Sequence, residues 1–291
     1  MIEGAQIASA AGGVPQVRPL IAGQEWSVSE YNCAAGPSDR PFEERHEQVT
    51  IAAVIIGSFT YRADTGRAIL HPGAFLLGNF GTCYECGHDH GTGDRCIAFH
   101  FSPAYFSEVA ASAAGTGRFK FPAATLPAVA KVLPWLARIE ARALLSDRLE
   151  IDEAVPGIME AVIGAISDST PTRVQPSARE ERQIGGVLRY IELHAGGAVD
   201  LDVLSRVAGM SKYHFLRIFR RVVGMTPYQF VLSVRMRRAA VRLATSAEPV
   251  SAIALDMGFG DLSTFNRRFK EVFGVNPTVF RYRESEKRRV I

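Results

Sequence analysis

Residues 250–281, VSAIALDMGFGDLSTFNRRFKEVFGVNPTVFR, decide the architecture of the C-terminal third of the chain. They predict a short helix over Val250–Met257, a turn over residues 258–261 and a longer helix that runs to Phe273. The turn contains glycine, whose freedom to adopt a positive φ lets two helices meet at a steep angle. The longer helix has an apolar face and a basic face, which is typical of a helix that packs on a core and presents charge outward. The stretch therefore predicts a helix-turn-helix unit.

Residues 205–243, SRVAGMSKYHFLRIFRRVVGMTPYQFVLSVRMRRAAVRL, contain the same design. Leu201–Val207 predicts a short helix, residues 208–211 contain the turn glycine, and the second helix extends through Val223. A long helix over roughly Pro227–Thr245 separates the two units and would hold them a fixed distance apart. The C-terminal third is therefore predicted to be an all-α domain with two helix-turn-helix units.

These two stretches resemble the DNA-binding domain of the AraC/XylS family of transcription regulators. The second stretch is the more specific match, because it keeps the spacings of the family at several positions. Those positions are Gly258-Phe259, Phe265, Arg268-Phe269-Lys270, Gly274, Pro277 and Phe280-Arg281. The resemblance implies that the two units enter successive major-groove segments on one face of a DNA duplex.

In such units the first exposed residues of the second helix reach the edges of the bases. The predicted base-reading positions are Ser211, Lys212, Tyr213, Leu216 and Arg217 in the first unit and Ser263, Thr264, Asn266 and Arg267 in the second. Arg217 and Arg267 are the best candidates for guanine contacts, because a planar guanidinium matches both major-groove acceptors of that base. Positions later in the same helices are predicted to contact phosphate or to form intramolecular salt bridges. These are Arg220, Arg221, Arg268 and Lys270.

Charge divides the chain in the same place. Residues 183–291 carry 18 Lys/Arg and 9 Asp/Glu, whereas the other 182 residues carry 15 and 21. A basic third joined to an acidic remainder is the pattern of a nucleic-acid module fused to a second domain. Residues 167–182 contain two prolines and several small polar residues, which predicts a linker. The predicted organisation is an N-terminal domain over residues 1–166, this linker, and a DNA-binding domain over residues 183–291.

The N-terminal half predicts β structure followed by helices. Trp26–Ser102 is rich in β-branched and aromatic residues broken by Gly and Pro, with strand patterns at Thr50–Ile56 and Ala74–Leu77. From Thr125 to Ile166 the apolar residues recur at helical spacing, which predicts helices whose apolar stripe is either core or a dimer face. The layout over Pro41–Ile166 resembles, more loosely, the cupin-like β-barrel or sandwich that many AraC-type regulators carry as a sensing and dimerisation domain. The predicted fold class is therefore α+β.

Residues 82–101, TCYECGHDHGTGDRCIAFHF, gather an unusual set of cysteines and histidines. The set is Cys83, Cys86, His88, His90, Cys96 and His100. The segment predicts two strands joined by a turn, and an odd-numbered loop would bring all of these side chains except Cys83 to one face. Thiolates and imidazoles in tetrahedral array suit zinc. The sequence leaves three interpretations open, namely a zinc site, a redox-responsive thiol pair, and ordinary strand residues.

Together with the resemblance, these patterns predict a cytoplasmic transcription regulator that acts as an activator and responds to an effector, a metal or redox state. The expected partners are double-stranded DNA, RNA polymerase, a small-molecule effector and a second copy of the chain. Membrane association is not expected, because no apolar run reaches the roughly 18–20 residues that span a bilayer. An enzyme is not expected either, because a Cys–His nucleophile needs an orienting third group and an oxyanion hole, and no pattern singles these out. Two alternatives remain for the N-terminal half. One is a structural dimerisation domain, either stabilised by zinc or metal-free, with no sensing role, and the other is a cupin-type metalloenzyme fused to the DNA-binding module.

Overall fold

A computed structural model describes residues 15–88, 93–127, 132–145, 148–167 and 176–289. The strands in this part of the chain are β1 (Gln16–Ala22), β2 (Trp26–Cys33), β3 (Phe42–Arg45), β4 (Val49–Gly57), β5 (Phe59–Ala63), β6 (Gly66–Leu70), β7 (Phe75–Gly78), β8 (Cys83–Gly87), β9 (Asp94–Phe101) and β10 (Thr125–Leu126). The helices are α1 (Pro103–Ala114), α2 (Leu133–Leu145), α3 (Arg148–Ser167), α4 (Ala178–His194), α5 (Leu201–Val207), α6 (Lys212–Val223), α7 (Pro227–Thr245), α8 (Val250–Asp256), α9 (Leu262–Phe273) and α10 (Pro277–Arg289). None of the helices within these ranges is long and apolar enough to cross a membrane.

The strands form two sheets that pack face to face. The larger sheet has the order β1-β2-β9-β4-β7-β10 and the smaller has the order β3-β8-β5-β6, and every pairing of described strands is antiparallel. The strands do not close into one barrel. Of the two architectures predicted for this half, the structure therefore has the sandwich.

Strands β4 and β9 run through the middle of the larger sheet and are buried on both faces. Ile51 and Phe99 lie on the face that packs against the helices, in the same core as Met159 of α3. Ala52 and Cys96 lie on the opposite face, in the core between the two sheets. A strand covered on both sides is apolar at consecutive positions, which explains the unbroken run in β4 that predicted it.

The prediction of helix from Thr125 onward is wrong at its start. Thr125 and Leu126 form the edge strand β10, which pairs with β7, and the Thr125 hydroxyl donates to the Phe75 carbonyl at 2.9 Å. Two residues are too few to show a period of two, so their apolar spacing could not be told from that of a helix. The stripe on α3 is core, since Val155 and Val162 are fully buried.

Helix α4 begins inside the predicted linker. Ser177 caps the helix in a capping box with Glu180, so residues 178–182 are helical and the predicted boundary at residue 182 lies too late. Residues 168–175 of the predicted linker lie outside the described part of the chain.

Both predicted helix-turn-helix units are confirmed. The first unit is α5 and α6, the second is α8 and α9, and α7 joins them, each within one residue of its predicted bounds. The turn glycines have positive φ as expected, 62° at Gly209 and 76° at Gly258.

The two turn glycines differ in their surroundings, which predicts a difference in stability. A Cβ on Gly258 would lie 2.9 Å from the Gly196 carbonyl oxygen, whereas the nearest atom to a Cβ on Gly209 is the Gln183 amide nitrogen at 3.8 Å. We expect Gly209→Ala to lower the free energy of unfolding by about 1 kcal/mol through backbone strain alone. Gly258→Ala should cost about 2 kcal/mol because its neighbour must also shift. Urea unfolding of the two variants measures the difference, and equal costs would contradict the predicted crowding at Gly258.

The C-terminal domain is docked firmly on the N-terminal half. Ala137 and Ala141 of α2 belong to the core of the second unit together with Phe265, and Ile69 of β6 belongs to the core of the first unit. The docking surface also contains a buried ion pair. Arg237 of α7, with 4% of its side chain exposed, bonds Glu140 of α2 at 2.5 Å. The same guanidinium donates to the Ile55 carbonyl at 3.0 Å.

Candidate nucleic-acid interface and N-terminal cavity

The second helix of each unit is held at its N-terminus by a capping side chain. Ser211 accepts from the His214 amide in α6, and Asp261 accepts from the Thr264 amide at 2.7 Å in α9. Such caps satisfy backbone donors that the first turn of a helix leaves without partners. Phe215 and Phe265 are fully buried beneath the two helices. Local sequence therefore sets both where each helix starts and which face it turns outward.

Most of the predicted DNA-contacting side chains lie on the outward faces. The exposed ones are Ser211, Lys212, Tyr213, Leu216, Arg217 and Arg220 in α6 and its cap, and Ser263, Arg267 and Lys270 in α9. The half-buried ones are Arg221, Thr264, Asn266 and Arg268. Tyr213 is 80% exposed. The arrangement presents two rows of polar and cationic groups, one from each unit.

Three of these cations form ion pairs within the chain. Lys212 bonds Asp202 at 2.5 Å, and Arg268 bonds Glu271 at 2.9 Å. Arg221 pairs with Glu180, the capping-box residue of α4. Arg221 is thus held against α4, which weakens its prediction as a phosphate contact. Across the described ranges Arg217, Arg220, Arg267 and Lys270 form no ion pair.

Helix α7 carries a row of arginines that serve the fold. Arg235 donates to the Ala195 and Gly197 carbonyls at 2.7 and 2.8 Å, and Arg238 donates to the Glu192 carbonyl at 2.7 Å. Burial lowers the pKa of both Arg235 and Arg238. These contacts close the C-terminal end of α4 onto α7. Part of the positive charge counted in this third of the sequence, including Arg235 and Arg238, therefore serves the fold.

A cavity of about 100 Å³ lies between the two sheets of the N-terminal half. It receives four of the residues predicted as metal ligands, which are Cys86, His88, Cys96 and His100. Cys83 is exposed and does not line the cavity. His90 lies outside the described residues. The predicted cluster is therefore gathered only in part.

The reason is that β8 and β9 do not form the predicted hairpin. Strand β8 pairs with β3 and β5 in the smaller sheet, whereas β9 pairs with β2 and β4 in the larger one. The two strands face each other across the cavity, so the argument from odd and even loops does not apply. Cys86 and His100 come together through the packing of two sheets and not through strand register.

The structure instead brings Cys33, His88 and Asp94 together. One potential ligand atom from each lies within 4.8 Å of the other two, and all three residues are buried. His88 Nε2 lies 2.5 Å from Asp94 Oδ1, and the Cys96 thiol donates to Asp94 Oδ2 at 3.2 Å. Sequence reasoning left Asp94 out altogether, although it stands two residues before Cys96 and thus on the same face of the strand. Cys33 is distant in sequence from His88 and Asp94, and no local pattern around it indicated that it joins them.

The pKa shifts of the buried cysteines beside this cluster disfavour thiol redox chemistry. Burial raises the pKa of the Cys86 and Cys96 thiols well above the usual value. Since the thiolate is the reactive form, these two cysteines are poor redox nucleophiles. Burial lowers the pKa of His88, but hydrogen bonds with Asp94 and Cys33 outweigh it and raise that pKa to about 9. His88 and Asp94 thus form a buried pair joined by a hydrogen bond.

The rest of the cavity wall is mixed, with apolar side chains such as Leu76, the carboxylate of Glu44, and several histidines and tyrosines. His46 bonds the Tyr61 hydroxyl at 2.8 Å and stacks on Tyr84, and His100 bonds the Tyr31 hydroxyl at 3.1 Å. Burial lowers the pKa of His46 to about 4, so its ring is neutral near pH 7. Hydroxyl and imidazole groups that can donate or accept are suited to a small polar ligand.

Comparison with known proteins finds similarity in the C-terminal third of the chain. Residues 204–283 match the model of a helix-turn-helix domain family. The regulatory protein SoxS of Salmonella typhimurium is 32% identical over 97 residues, which cover 33% of this chain and 91% of SoxS. The transcriptional regulator Rob of the same organism is 35% identical over 103 residues, 35% of each chain.

Solved structures are similar over different extents. The DNA-binding domain of AdpA, in complex with a target DNA, is 27% identical with a TM-score of 0.35 and covers 35% of this chain and 93% of its own. The AraC-like transcriptional activator CuxR is 16% identical with a TM-score of 0.40 and covers 84% of each chain.

Proposed function

The chain belongs to the AraC family of transcription regulators, and from that membership we propose that it is a sequence-specific activator whose N-terminal sandwich responds to a ligand. The observation that carries the proposal is the pair of outward helices α6 and α9. Each is capped by a side chain of its own sequence, packs on buried phenylalanines and presents an exposed arginine, Arg217 or Arg267, that forms no ion pair within the described residues. Two such helices, joined by one rigid helix, are suited to two segments of one major groove.

The division of labour on DNA follows from position. Arg217 and Arg267 lie at the sixth of twelve positions in their helices and would read guanine, whereas the exposed Arg220 and Lys270 lie three positions later and would contact phosphate. Exposed Tyr213 and Leu216 would meet the methyl groups or sugar edges beside the first reading position.

The proposed sensing role rests on a direct path from the cavity to the first unit. Phe59 of β5 lines the cavity, and β5 pairs along its length with β6. Ile69 of β6 is inserted in the core of the first unit. His71, just after β6, meets the ring of Phe230 of α7 edge-on at 5.0 Å. A ligand that shifts β5 would therefore shift a residue against which the reading helix is packed.

We also propose that the protein associates with a second copy of the chain and with RNA polymerase. Joining two DNA-binding domains in one homodimer raises the effective concentration of the second domain at its half-site. We propose that the protein acts in this form in the cytoplasm.

Selection from a pool of random DNA duplexes tests the proposal with the full-length protein. We expect an enriched motif of two short blocks whose centres lie about one helical turn apart, roughly 10 base pairs. Binding to the selected duplex should weaken as salt rises, because counterions are released when phosphates are neutralised. Recovery of no motif, with equal affinity for all duplexes, would overturn sequence-specific regulation.

A further inference from the structure

We propose that Cys33, His88 and Asp94 form a binding site for a divalent transition-metal ion, with zinc as the best fit. The site differs from the set predicted from residues 82–101, since two of its three ligands were not in that set. Any effect of this ion on DNA binding rests on the sensing role proposed above. Metal binding itself can be tested separately.

Two of the residues lie in strands of the larger sheet, and the third directly follows a strand of the smaller sheet. Cys33 ends β2 and Asp94 begins β9, and the two are direct partners in the register of the larger sheet. His88 follows β8 of the smaller sheet. An ion at this point would be bound by Cys33 and Asp94 of the larger sheet on one side and by His88, next to the smaller sheet, on the other. It would join the two sheets at the end of the cavity.

The distances suit a tetrahedral site after a small adjustment. Bonds of about 2.0–2.3 Å to zinc place ligand atoms roughly 3.3–3.8 Å apart. The three ligand atoms lie within 4.8 Å of one another. The 2.5 Å separation of His88 Nε2 and Asp94 Oδ1 must lengthen by about 1 Å, as it would when an ion replaces the shared proton.

The chemistry of the donors selects the kind of ion. A thiolate, an imidazole and a carboxylate together suit zinc and similar borderline ions, whereas magnesium and calcium require oxygen ligands. The side chains of His88 and Asp94 are only 3% and 7% exposed, so charge placed there needs a compensating charge. A divalent cation supplies it for both Cys33 thiolate and Asp94.

Neighbouring groups hold the ligands in orientation. The Cys96 thiol donates to Asp94 Oδ2, which leaves Oδ1 directed at His88 and at the proposed ion. The ring of Phe59 stacks on the His88 imidazole with centroids 5.7 Å apart. Such supporting contacts are a regular feature of metal sites in proteins. Three protein ligands leave a fourth position, which would face the cavity and accept water or a small ligand.

The site also adjoins the docking surface of the DNA-binding domain. Asp94 is the register partner of Gly57 of β4, and the Gly57 amide donates to Glu192 of α4 at 3.1 Å. An ion bound at Asp94 is thus one residue pair from a contact with the C-terminal domain.

The test uses the full-length protein, stripped with a chelator under reducing conditions and then titrated with Co²⁺ and with Zn²⁺. We expect about one ion per chain, and for Co²⁺ a thiolate-to-metal charge-transfer absorption that zinc abolishes. Cys33→Ser should remove this absorption. Metal affinity should fall roughly 100-fold or more in each of the variants Cys33→Ser, His88→Gln and Asp94→Asn. Loss of a residue that only supports a ligand lowers metal affinity by about 10- to 100-fold. Cys83→Ser, an exposed cysteine, is the matched control and should change neither stoichiometry nor spectrum.

A measurement on the unmodified protein covers the case in which a variant fails to fold. Removing the ion should lower the thermal unfolding midpoint, and adding zinc back should restore it, because metal binding stabilises the folded state. Absence of both the absorption and the shift would overturn the site, as would an absorption lost in Cys83→Ser but kept in Cys33→Ser. Stoichiometric metal together with failed DNA selection would count against the proposed function and leave the site standing.

Discussion

Replacing Arg267 with alanine is expected to weaken binding to the selected operator by about 1–3 kcal/mol, roughly 5- to 150-fold, with little change on random duplexes. The residue is exposed at the sixth of the twelve positions of α9, and no carboxylate in the described residues forms an ion pair with it. Its guanidinium is thus free to bond both acceptors of a guanine. Arg217 has the matching place in α6, and Arg217→Ala should cost a similar amount. The losses should add in the double variant, because the two residues act on separate groove segments.

Two other cations on the same helices provide the controls. Lys270→Ala should weaken binding to operator and random DNA alike and lower the slope of log affinity against log salt by about one, as expected for a phosphate contact. Arg221→Ala should affect DNA binding less, because Arg221 pairs with Glu180. Fluorescence anisotropy on both duplexes at several salt concentrations measures these effects. Equal losses on both duplexes for Arg267→Ala would show that it contacts phosphate and does not read a base.

Arg237→Ala is expected to lower the free energy of unfolding by about 3–5 kcal/mol, the cost of removing one partner from a buried ion pair. Arg237 has 4% of its side chain exposed and bonds Glu140 across the docking surface. Its loss would remove a donor from both the Glu140 carboxylate and the Ile55 carbonyl, and only 13% of the Glu140 side chain is exposed. Chemical denaturation of the full-length protein measures this effect.

Arg242 on the same helix is the matched control. It pairs with Glu248 and Asp256, but its side chain is 25% exposed and those of its partners are 42% and 57% exposed. Arg242→Ala should therefore cost no more than about 1 kcal/mol. Similar losses for the two variants would show that the docking contact does not depend on burial of Arg237. A change in the number of unfolding transitions in Arg237→Ala would show that the docking couples the two domains.

The sequence by itself determined the two helix-turn-helix units, because the signals that specify them are local. A positive-φ glycine at the turn, a capping residue such as Ser211 or Asp261, and apolar positions at helical spacing all lie within about a dozen consecutive residues. The same reasoning found β4, whose apolar run follows from burial on both faces. The resemblance to the AraC/XylS family identified the same two units, because the positions that match the family lie within these local patterns.

Only the tertiary structure decided which residues meet in the N-terminal half and which cations remain free in the C-terminal one. Cys33, His88 and Asp94 meet because β2 pairs with β9 and a second sheet packs over them, and strand order in a sheet is set by non-local pairing. A count of charges cannot separate Arg267, which is exposed, from Arg237, which is buried against Glu140. That distinction depends on the surface where the two domains dock, and it is created only when distant parts of the chain fold against each other.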